Sequence, residues 1–281
     1  MSRPLIGVEG ALTSWGTASN LYADMLARLR CRSAVLTITE EDEDVTGLSS
    51  TTRSTLGKLK ASTTTISGYA ATTPRLGNVG LVSSTGGYAL WVDEWSITIE
   101  PVAVHDITSM NVGDTLSAGI PYWKRFMPDY VQWSGSYGAR LDDTTGITLP
   151  FDSGVTADTF EFHYAASSAA KLSGSAIVTS VNPSVVVGQP SRATFAFRGT
   201  GDLVAAGSSD FFSSGGTGYT FGIPLWSQGS TIQGAHVITA ATGRTFSVYD
   251  SFFRRITIGA KVGEPVTVEI ELQNSGAVTR A

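Results

Sequence analysis

The sequence predicts a mainly β protein made of two related β-domains with short flanking helices. Charged residues make up only 15% of the 281 residues, well under the usual quarter, and Gly, Ser and Thr are abundant. Many short stretches alternate apolar and polar residues, as strands with one solvent-facing side do. One seventeen-residue pattern also occurs twice, first in residues 185–201 and again in residues 260–276. These three observations indicate short strands, many turns and an internal duplication.

The N-terminal part of the chain predicts two helices and two strands. Residues 19–30 place leucines and a methionine at helical spacing, which is typical of a small amphipathic helix. Residues 34–39 alternate as a strand, and the acidic run at 40–44 that follows is expected to be a loop. Residues 50–61 favour a short helix, and residues 62–70 favour a strand.

The middle of the chain restarts this pattern. Residues 88–101 alternate well, with Trp95, Ile97 and Ile99 on one face. Residues 120–130 predict a short helix, because Pro121 suits a first turn and Pro128 suits an end. Further strands are predicted at 131–141, 159–165 and 175–181.

The repeated pattern describes a turn followed by a strand. Its copies share Val-Gly-[Gln/Glu]-Pro and end on a glycine thirteen residues after the first glycine. Proline fixes φ and lacks an N–H donor, so it belongs at the start of a strand, while the glycines mark turns. The proposed signature residues are Asp106, Trp133, Gly188, Pro190, Gly201, Gly263, Pro265 and Gly276.

The order of the patterns predicts that one domain is inserted into the other. An Ile-Thr strand followed by Asp44-Val45-Thr46 has its counterpart in an Ile-Thr-Ile strand followed by Asp106-Ile107-Thr108. The two beginnings therefore precede the two ends. The predicted domains are residues 1–90 plus 208–281, and residues 91–207 inserted between them.

The gross composition excludes several classes of protein. The net charge is −5 and no basic cluster is present, which argues against a nucleic-acid reader. The single cysteine, Cys31, allows neither an internal disulfide nor a cysteine zinc cluster. The N-terminus has no apolar signal segment, and no apolar run reaches the length of a membrane helix. We expect no membrane partner.

Searches for site chemistry predict no metal, no cofactor and no catalysis. Asp42-x-Asp44-x-Thr46-Gly47 begins like a calcium loop, but its twelfth position is Arg53 instead of a bidentate glutamate. His105 and Asp106 are neighbours, yet no Gly-x-Ser-x-Gly nucleophile elbow is present. We therefore expect a protein that is not an enzyme.

The central segment resembles the major tail tube proteins of long, non-contractile-tailed bacteriophages (siphophages). The resemblance covers residues 91–203 and rests on an ordered set of motifs. They are Asp106-Ile107-Thr108, a segment with Trp123 ending near Pro128, Trp133-Ser134-Gly135, Asp142-Asp143, and the closing Gly-x-Pro strand that ends in Gly199-Thr200-Gly201. The flanking halves lack Trp-Ser-Gly, and residues 66–68 stand nearest to it.

The resemblance implies a β-sandwich domain that joins its neighbours in a continuous β-barrel. Hexameric rings of such domains stack into a hollow tube, so two domains per chain would give trimeric rings with pseudo-sixfold symmetry. The implied partners are other copies of the chain, a tape measure protein, a tail terminator and tail-tip proteins. The implied location is the virion tail, assembled in the host cytoplasm. Phage DNA would pass through during ejection without specific binding.

Two groups of residues are candidates for contacts within such a tube. Glu269 and Glu271 alternate on one strand face and are expected to line the lumen, although ordinary solvent-facing glutamates would look the same. The expected contacts between rings come from the acidic run and from a long Gly/Ser-rich stretch. Their residues are Glu40, Asp42, Asp44, Phe211, Phe212 and Trp226.

The alternative is a β-sandwich carbohydrate-binding or adhesin module. Six tryptophans could supply aromatic platforms for sugars. Trp95 and Trp133 fall in strand patterns and are predicted to be core residues, whereas Trp226, in the Gly-rich stretch, could be either a sugar platform or an anchor between subunits. A sugar binder should be a monomer with an exposed aromatic strip, whereas a tube protein should polymerise.

Overall fold

The computed structural model describes sixteen stretches of the chain. These are residues 11–15, 29–44, 55–70, 81–83, 91–106, 123–124, 126–140, 157–163, 171–206, 213–214, 217–218, 220–221, 235–241, 244–248, 251–274 and 278–280.

The described residues are almost entirely β, which confirms the predicted mainly β fold class. The strands are β1 (Ala11–Trp15), β2 (Leu29–Asp44), β3 (Thr55–Ala70), β4 (Leu81–Ser83), β5 (Trp91–Pro101), β6 (Val104–Asp106), β7 (Phe126–Pro128), β8 (Val131–Arg140), β9 (Asp158–His163), β10 (Lys171–Ser184), β11 (Arg192–Gly199), β12 (Leu203–Ala206), β13 (Ser213–Ser214), β14 (Thr217–Gly218), β15 (Thr220–Phe221), β16 (Ala235–Ala241), β17 (Arg244–Val248), β18 (Ser251–Lys261), β19 (Thr267–Asn274) and β20 (Val278–Arg280). None of these residues belong to a helix with the length and apolarity that crossing a membrane requires.

One long antiparallel sheet dominates the described part of the chain. Its order is β15-β12-β10-β11-β8-β5-β18-β19-β3-β2, with β9 on the other edge of β10 and β4 beside β9. Two groups of four strands follow one another in it. We name β10-β11-β8-β5 the central set and β18-β19-β3-β2 the flanking set. Because β5 pairs with β18, the two sets are joined edge to edge.

The hairpins β10–β11 and β18–β19 have matching registers. The first slips at a bulge between Val178 and Ser180, and the second slips at a bulge between Phe253 and Arg255. The turns that connect the hairpins stand at the same offset from these bulges, with φ of 80° at Gly188 and again at Gly263. Only glycine adopts this left-handed backbone without a steric cost.

The strands β2 and β5 also match each other in register. The pairing of β5 with β8 is interrupted between Val92 and Glu94, and that of β2 with β3 between Cys31 and Ser33. In each strand eight consecutive pairs in register follow the bulge. The strand order and the bulge positions of one set are therefore repeated in the other.

An apolar row crosses the junction between the sets. Neighbouring strands place Ile66, Ile270, Ile256, Ile99 and Trp133 side by side, all at most 2% exposed. Burying a side chain of this size contributes about 1.5–3 kcal/mol. The alternation seen in the sequence therefore produces one continuous buried face, and the predicted core positions of Trp95 and Trp133 are confirmed.

The sheet of the central set folds back over this face. β9 is bonded to β10, four strand steps from β5, which would be about 19 Å in a flat sheet. Nevertheless the ring centroids of Phe162 on β9 and Trp95 on β5 are only 5.5 Å apart. Phe162 also meets Trp133 edge to face at 6.4 Å. The aromatic side chains close a core between two layers of the same sheet.

Three predicted elements are corrected. Leu29 and Arg30, at the end of the expected helix 19–30, lie in β2, while residues 19–28 of that helix lie outside the described residues. In the expected helix 50–61, the described residues 55–61 belong to β3. The expected helix 120–130 contains β7, because its backbone pairs with the segment after β5: Val102 N–H donates to Tyr130 O at 2.7 Å. Helical spacing was overridden by pairing with a neighbouring strand.

The acidic run is also strand and not loop. Residues 40–44 continue β2 and pair with residues 55–60 of β3. Glu40 forms an ion pair with the opposite Lys60, with Oε2 and Nζ 3.3 Å apart. A run of like charges is compatible with a strand here because, among the described residues, β3 alone pairs with it.

The expected counterpart of Trp133-Ser134-Gly135 is corrected as well. The matching registers of the two sets place residues 62–64 there, and not residues 66–68. Gly199 leaves room for the Trp133 ring, since a Cβ would lie 2.1 Å from it. At the Gly199 position the flanking set has Asn274, which donates from Nδ2 to Ser62 Oγ at 3.0 Å. A polar pair therefore replaces the tryptophan–glycine pair.

Candidate assembly edges and the polar face

The second face of the long sheet is polar across both sets. Register places Ser67, Glu269, Thr257, Thr98 and Ser134 side by side on neighbouring strands, opposite in direction to the apolar row. We call this side, formed by the alternate residues of β3, β19, β18, β5, β8 and β11, the polar face. Strand alternation alone separates it from the core.

Three arginines near the polar face are paired with acidic or amide side chains. Arg255 lies between two glutamates, with Nε 3.1 Å from Glu100 Oε2 and Nη1 3.9 Å from Glu271 Oε2. Arg254 Nη1 is 3.2 Å from Glu271 Oε1. Arg198 donates to Gln132 Oε1 at 3.0 Å. Each of these guanidinium groups therefore has an acidic or amide partner on the protein itself.

The two lumen candidates occupy this face, in different environments. Glu269 is exposed, opposite Ser67 and Thr257, whereas Glu271 is half-buried between the two arginines. The structure places both side chains on the polar side of β19. Their lining of a lumen remains a proposal.

The junction between the sets is built from β5 and β18. Six residue pairs are in register, from Ile256 opposite Ile99 to Lys261 opposite Glu94. Beyond them, Val262 N–H donates to Asp93 O at 2.9 Å. The Asp93 side chain also pairs with Arg140 of β8, Oδ1 to Nε 3.2 Å, and with Arg192 of β11. The bulge residue Asp93 thus ties three strands together beside the junction.

At its outer end, each of the two sets has a strand edge without a neighbouring strand among the described residues. One is the outer edge of β2, which pairs only with β3. The other is the outer edge of β10 beyond residue 176, where β9 ends. Large apolar side chains are exposed along both: Val35 (55%), Ile38 (47%) and Val185 (76%). Exposed apolar strand edges are sites of pairing with another strand.

The signature residues take structural positions. Trp133 is buried, and its Nε1–H donates to the carbonyl of Gly201, which has φ of 102°. Pro190 and Pro265 each lie two residues before the start of a repeated strand, β11 and β19. Asp106 ends β6, with Oδ2 3.8 Å from Lys124 Nζ. Gly276 lies outside the described residues.

The candidate inter-ring residues are described only in part. Glu40, Asp42 and Asp44 lie along β2 in the part that continues with β3 past the end of β19, which we call the β2–β3 arm. Phe211, Phe212 and Trp226 lie outside the described residues. Sequence reasoning missed the two free edges, although the resemblance of residues 36–39 to residues 97–100 was their signal.

Within the described part of the chain, no three His, Cys, Asp or Glu side chains cluster as metal ligands. His163 on β9 is a half-buried titratable group, and its Nε2 is 3.7 Å from Glu161 Oε2. Burial lowers the pKa of His163 below its usual 6.5, opposed by Glu161 and reinforced by Lys171.

We predict a pH dependence of stability from His163. Because the folded-state pKa is lower than the unfolded one, the unfolded chain binds a proton first as the pH falls below 6.5. The contribution of His163 to the free energy of unfolding is therefore complete above pH 6.5 and declines below it. Urea unfolding should show that His163→Gln reduces the loss of stability on acidification. An unchanged pH dependence in this variant would contradict the assignment.

No protein-family model matches the chain, and no curated protein matches it either. Among solved structures, it is similar to a chain of the tail of an empty gene transfer agent (GTA) particle refined with C6 symmetry. That match has 16% identity and a TM-score of 0.34, covering 44% of this chain and 92% of the other. A chain of the native GTA virion matches at 12% identity and a TM-score of 0.17, covering 71% and 97%. TM-scores this low do not establish a shared fold.

Proposed function

We propose that the chain is a structural virion protein, the major subunit of a phage tail tube, that polymerises into stacked rings around a hollow conduit for DNA. The observation that carries the proposal is the edge-to-edge joining of two four-stranded sets with the same order and register. The junction inside the chain joins an edge of β5 to an edge of β18. The equivalent edges, on β2 and β10 respectively, have no neighbouring strand among the described residues.

A chain with this arrangement can repeat its own internal junction. If the same kind of strand pairing that joins the central set to the flanking set also joins one chain to the next, the sheet continues in the same direction from chain to chain. Closure of such a series pairs the free edges of β2 and β10, which is how barrels avoid uncontrolled pairing. We propose that the two sets belong to two related domains, residues 91–207 and residues 1–90 plus 208–281. A sixfold series then needs three chains, so the ring is a homotrimer with pseudo-sixfold symmetry.

The polar face supports its assignment to the lumen. A conduit for DNA should not bind phosphates tightly, because each cation that neutralises a phosphate adds salt-dependent affinity. Arg254 and Arg255 are held by Glu100 and Glu271, which leaves little free positive charge at this place. Glu269 adds an exposed negative charge beside them.

We further propose that stacking between rings uses two described segments of the chain. One is the β2–β3 arm, which carries Glu40, Asp42 and Asp44. The other is the β6–β7 pair, where Met127 (53%) and Tyr130 (63%) are exposed. The stretch with Phe211, Phe212 and Trp226 is proposed for the same role. In assembled tubes these residues should lie between rings, and a map in which they all face solvent would refute this part.

Electron microscopy of the concentrated, purified protein tests the function. We expect hollow tubes whose end views show threefold rings with six similar density lobes. Rings of six whole chains would retain the tube and refute the count of two domains per subunit. A protein that remains monomeric at every concentration tried, with or without tail-tip proteins, would refute the tube.

The described residues give no specific support to a carbohydrate-binding module. Trp95 and Trp133 are each 2% exposed, so neither can stack on a sugar. The tube is therefore the single function proposed here, with no catalytic step, no cofactor and no membrane partner assigned.

A further inference from the structure

We infer that β2 of one subunit pairs antiparallel with β10 of the next, in one defined register. In that register Ile38 lies opposite Val181, Thr37 opposite Asn182, and Leu36 opposite Pro183. The inference rests on the proposed function and deepens it, since it names the two edges and the residue pairs that close the ring. The partner is a second copy of this chain.

The register follows from the junction inside the chain. There β18 and β5 pair with Ile256 opposite Ile99. The equivalent of Ile256 in β10 is Val181, because each is the second paired residue past the bulge in its hairpin. The equivalent of Ile99 in β2 is Ile38, because each is the sixth paired residue past the bulge in its strand. Every other pair follows from this one because antiparallel pairing is regular.

The same register matches the two faces of the sheet. Val181, Pro183 and Val185 would stand beside Ile38, Leu36 and Ala34, all on the side that continues the apolar row. Asn182 and Ser184 would stand beside Thr37 and Val35 on the polar side. A slip by one residue would turn the apolar residues of one strand towards the polar face of the other. The side-chain pattern therefore selects this register over its immediate neighbours.

Exposure changes as expected between the filled junction and the free edges. Ile99, inside the chain, is 0% exposed, whereas its equivalent Ile38 is 47% exposed. Ala260 is 4% exposed, whereas its equivalent Val185 is 76% exposed. Pairing with a second copy would cover these apolar side chains as the internal junction covers theirs.

The free edges differ from the internal junction in two ways that weaken them. In the internal junction, Arg255 and Glu100 form an ion pair. At the equivalent positions, the free edges have Ser180 on β10 and Thr39 on β2, which carry no charge. Pro183, at the position of Ile258, has no N–H to donate to a neighbouring strand. Prolines and short edges limit unwanted pairing in natural sheets. The junction between subunits is accordingly weaker than the one within a subunit, so that monomers persist before the ring closes.

Disulfide trapping tests the register. In a Cys31→Ser background, Thr37→Cys with Asn182→Cys places two thiols opposite each other across the proposed junction. Directly opposed residues of antiparallel strands have Cα atoms about 4.5–5.5 Å apart, a distance that a disulfide accommodates. Thr98→Cys with Thr257→Cys is the matched control, because Thr98 and Thr257 are opposite each other within one chain. Thr39→Cys with Asn182→Cys is the out-of-register control.

After mild oxidation and denaturing electrophoresis, the Thr37/Asn182 variant should give covalent dimers and closed trimers. The Thr98/Thr257 variant should form its disulfide within the monomer, and the Thr39/Asn182 variant should give at most a tenth of the multimers. Tubes in the microscope without Thr37–Asn182 cross-links, or with stronger Thr39–Asn182 cross-links, would overturn the register and leave the tube function intact. Absence of both tubes and cross-links would overturn both.

Discussion

Replacing both Thr37 and Asn182 with lysine is expected to abolish ring assembly while the monomer stays folded. Both side chains are exposed, so neither substitution removes a buried contact. In the proposed junction the two residues lie directly opposite each other, where like charges are destabilising by about 0.2–1 kcal/mol. The desolvated setting of a closed ring increases this repulsion, and the loss recurs at every junction of every ring.

A charge swap provides the control for this variant. Thr37→Glu combined with Asn182→Lys places opposite charges at the same two positions, and this variant should assemble. Sedimentation velocity and electron microscopy measure assembly, and circular dichroism measures folding. Rings from the double-lysine variant at the wild-type protein concentration would show that these two edges do not meet.

Replacing Gly135 with alanine is expected to cause the largest loss of monomer stability. A Cβ on Gly135 would lie 2.1 Å from the backbone oxygen of Ser96 and 2.6 Å from Phe197 Cζ. The oxygen belongs to β5, which is fixed by β8 on one side and β18 on the other, so it cannot move without breaking the sheet. Overpacking of this kind costs about 1–3 kcal/mol or more. We therefore expect a large drop in the urea midpoint, or failure to fold.

Gly138→Ala is the matched control on the same strand. Its Cβ would approach only the Glu94 side chain, at 3.3 Å, and that side chain can turn away into solvent. Because only this movable side chain has to yield, we expect a clearly smaller loss in the free energy of unfolding than for Gly135→Ala. Equal losses of unfolding free energy in the two variants would mean that the close contact of Gly135 with β5 does not cause the destabilisation by Gly135→Ala.

The comparison of predicted and observed elements separates local from non-local information. The strand at 88–101 and the strand at 131–141 were predicted within three residues, because alternation with period two is encoded in neighbouring side chains. The expected helix at 120–130 contains β7 instead, because its backbone groups bond to Ala103 and to Val102, about twenty to thirty residues away in sequence. No local pattern reports a partner at that distance.

The register of the repeat shows the same division. The spacing of Gly188 and Gly263 was visible in the sequence, because a left-handed turn requires glycine at a fixed place. That residues 62–64, and not 66–68, are the equivalent of Trp133-Ser134-Gly135 was not visible in the sequence. It depends on Asn274 replacing Gly199, and that contact exists only between strands that are far apart in the chain.

The sequence by itself determined the mainly β class, the alternating faces and the duplicated turn, because these depend on side-chain periodicity and on glycine and proline geometry. It also determined that Glu269 and Glu271 point away from the core. Only the tertiary structure decided that β5 joins β18, and that the equivalent edges of β2 and β10 are left without a strand among the described residues. Backbone hydrogen bonds between strands carry almost no residue-specific signal, so the choice of neighbour is made by the packing of the whole sheet.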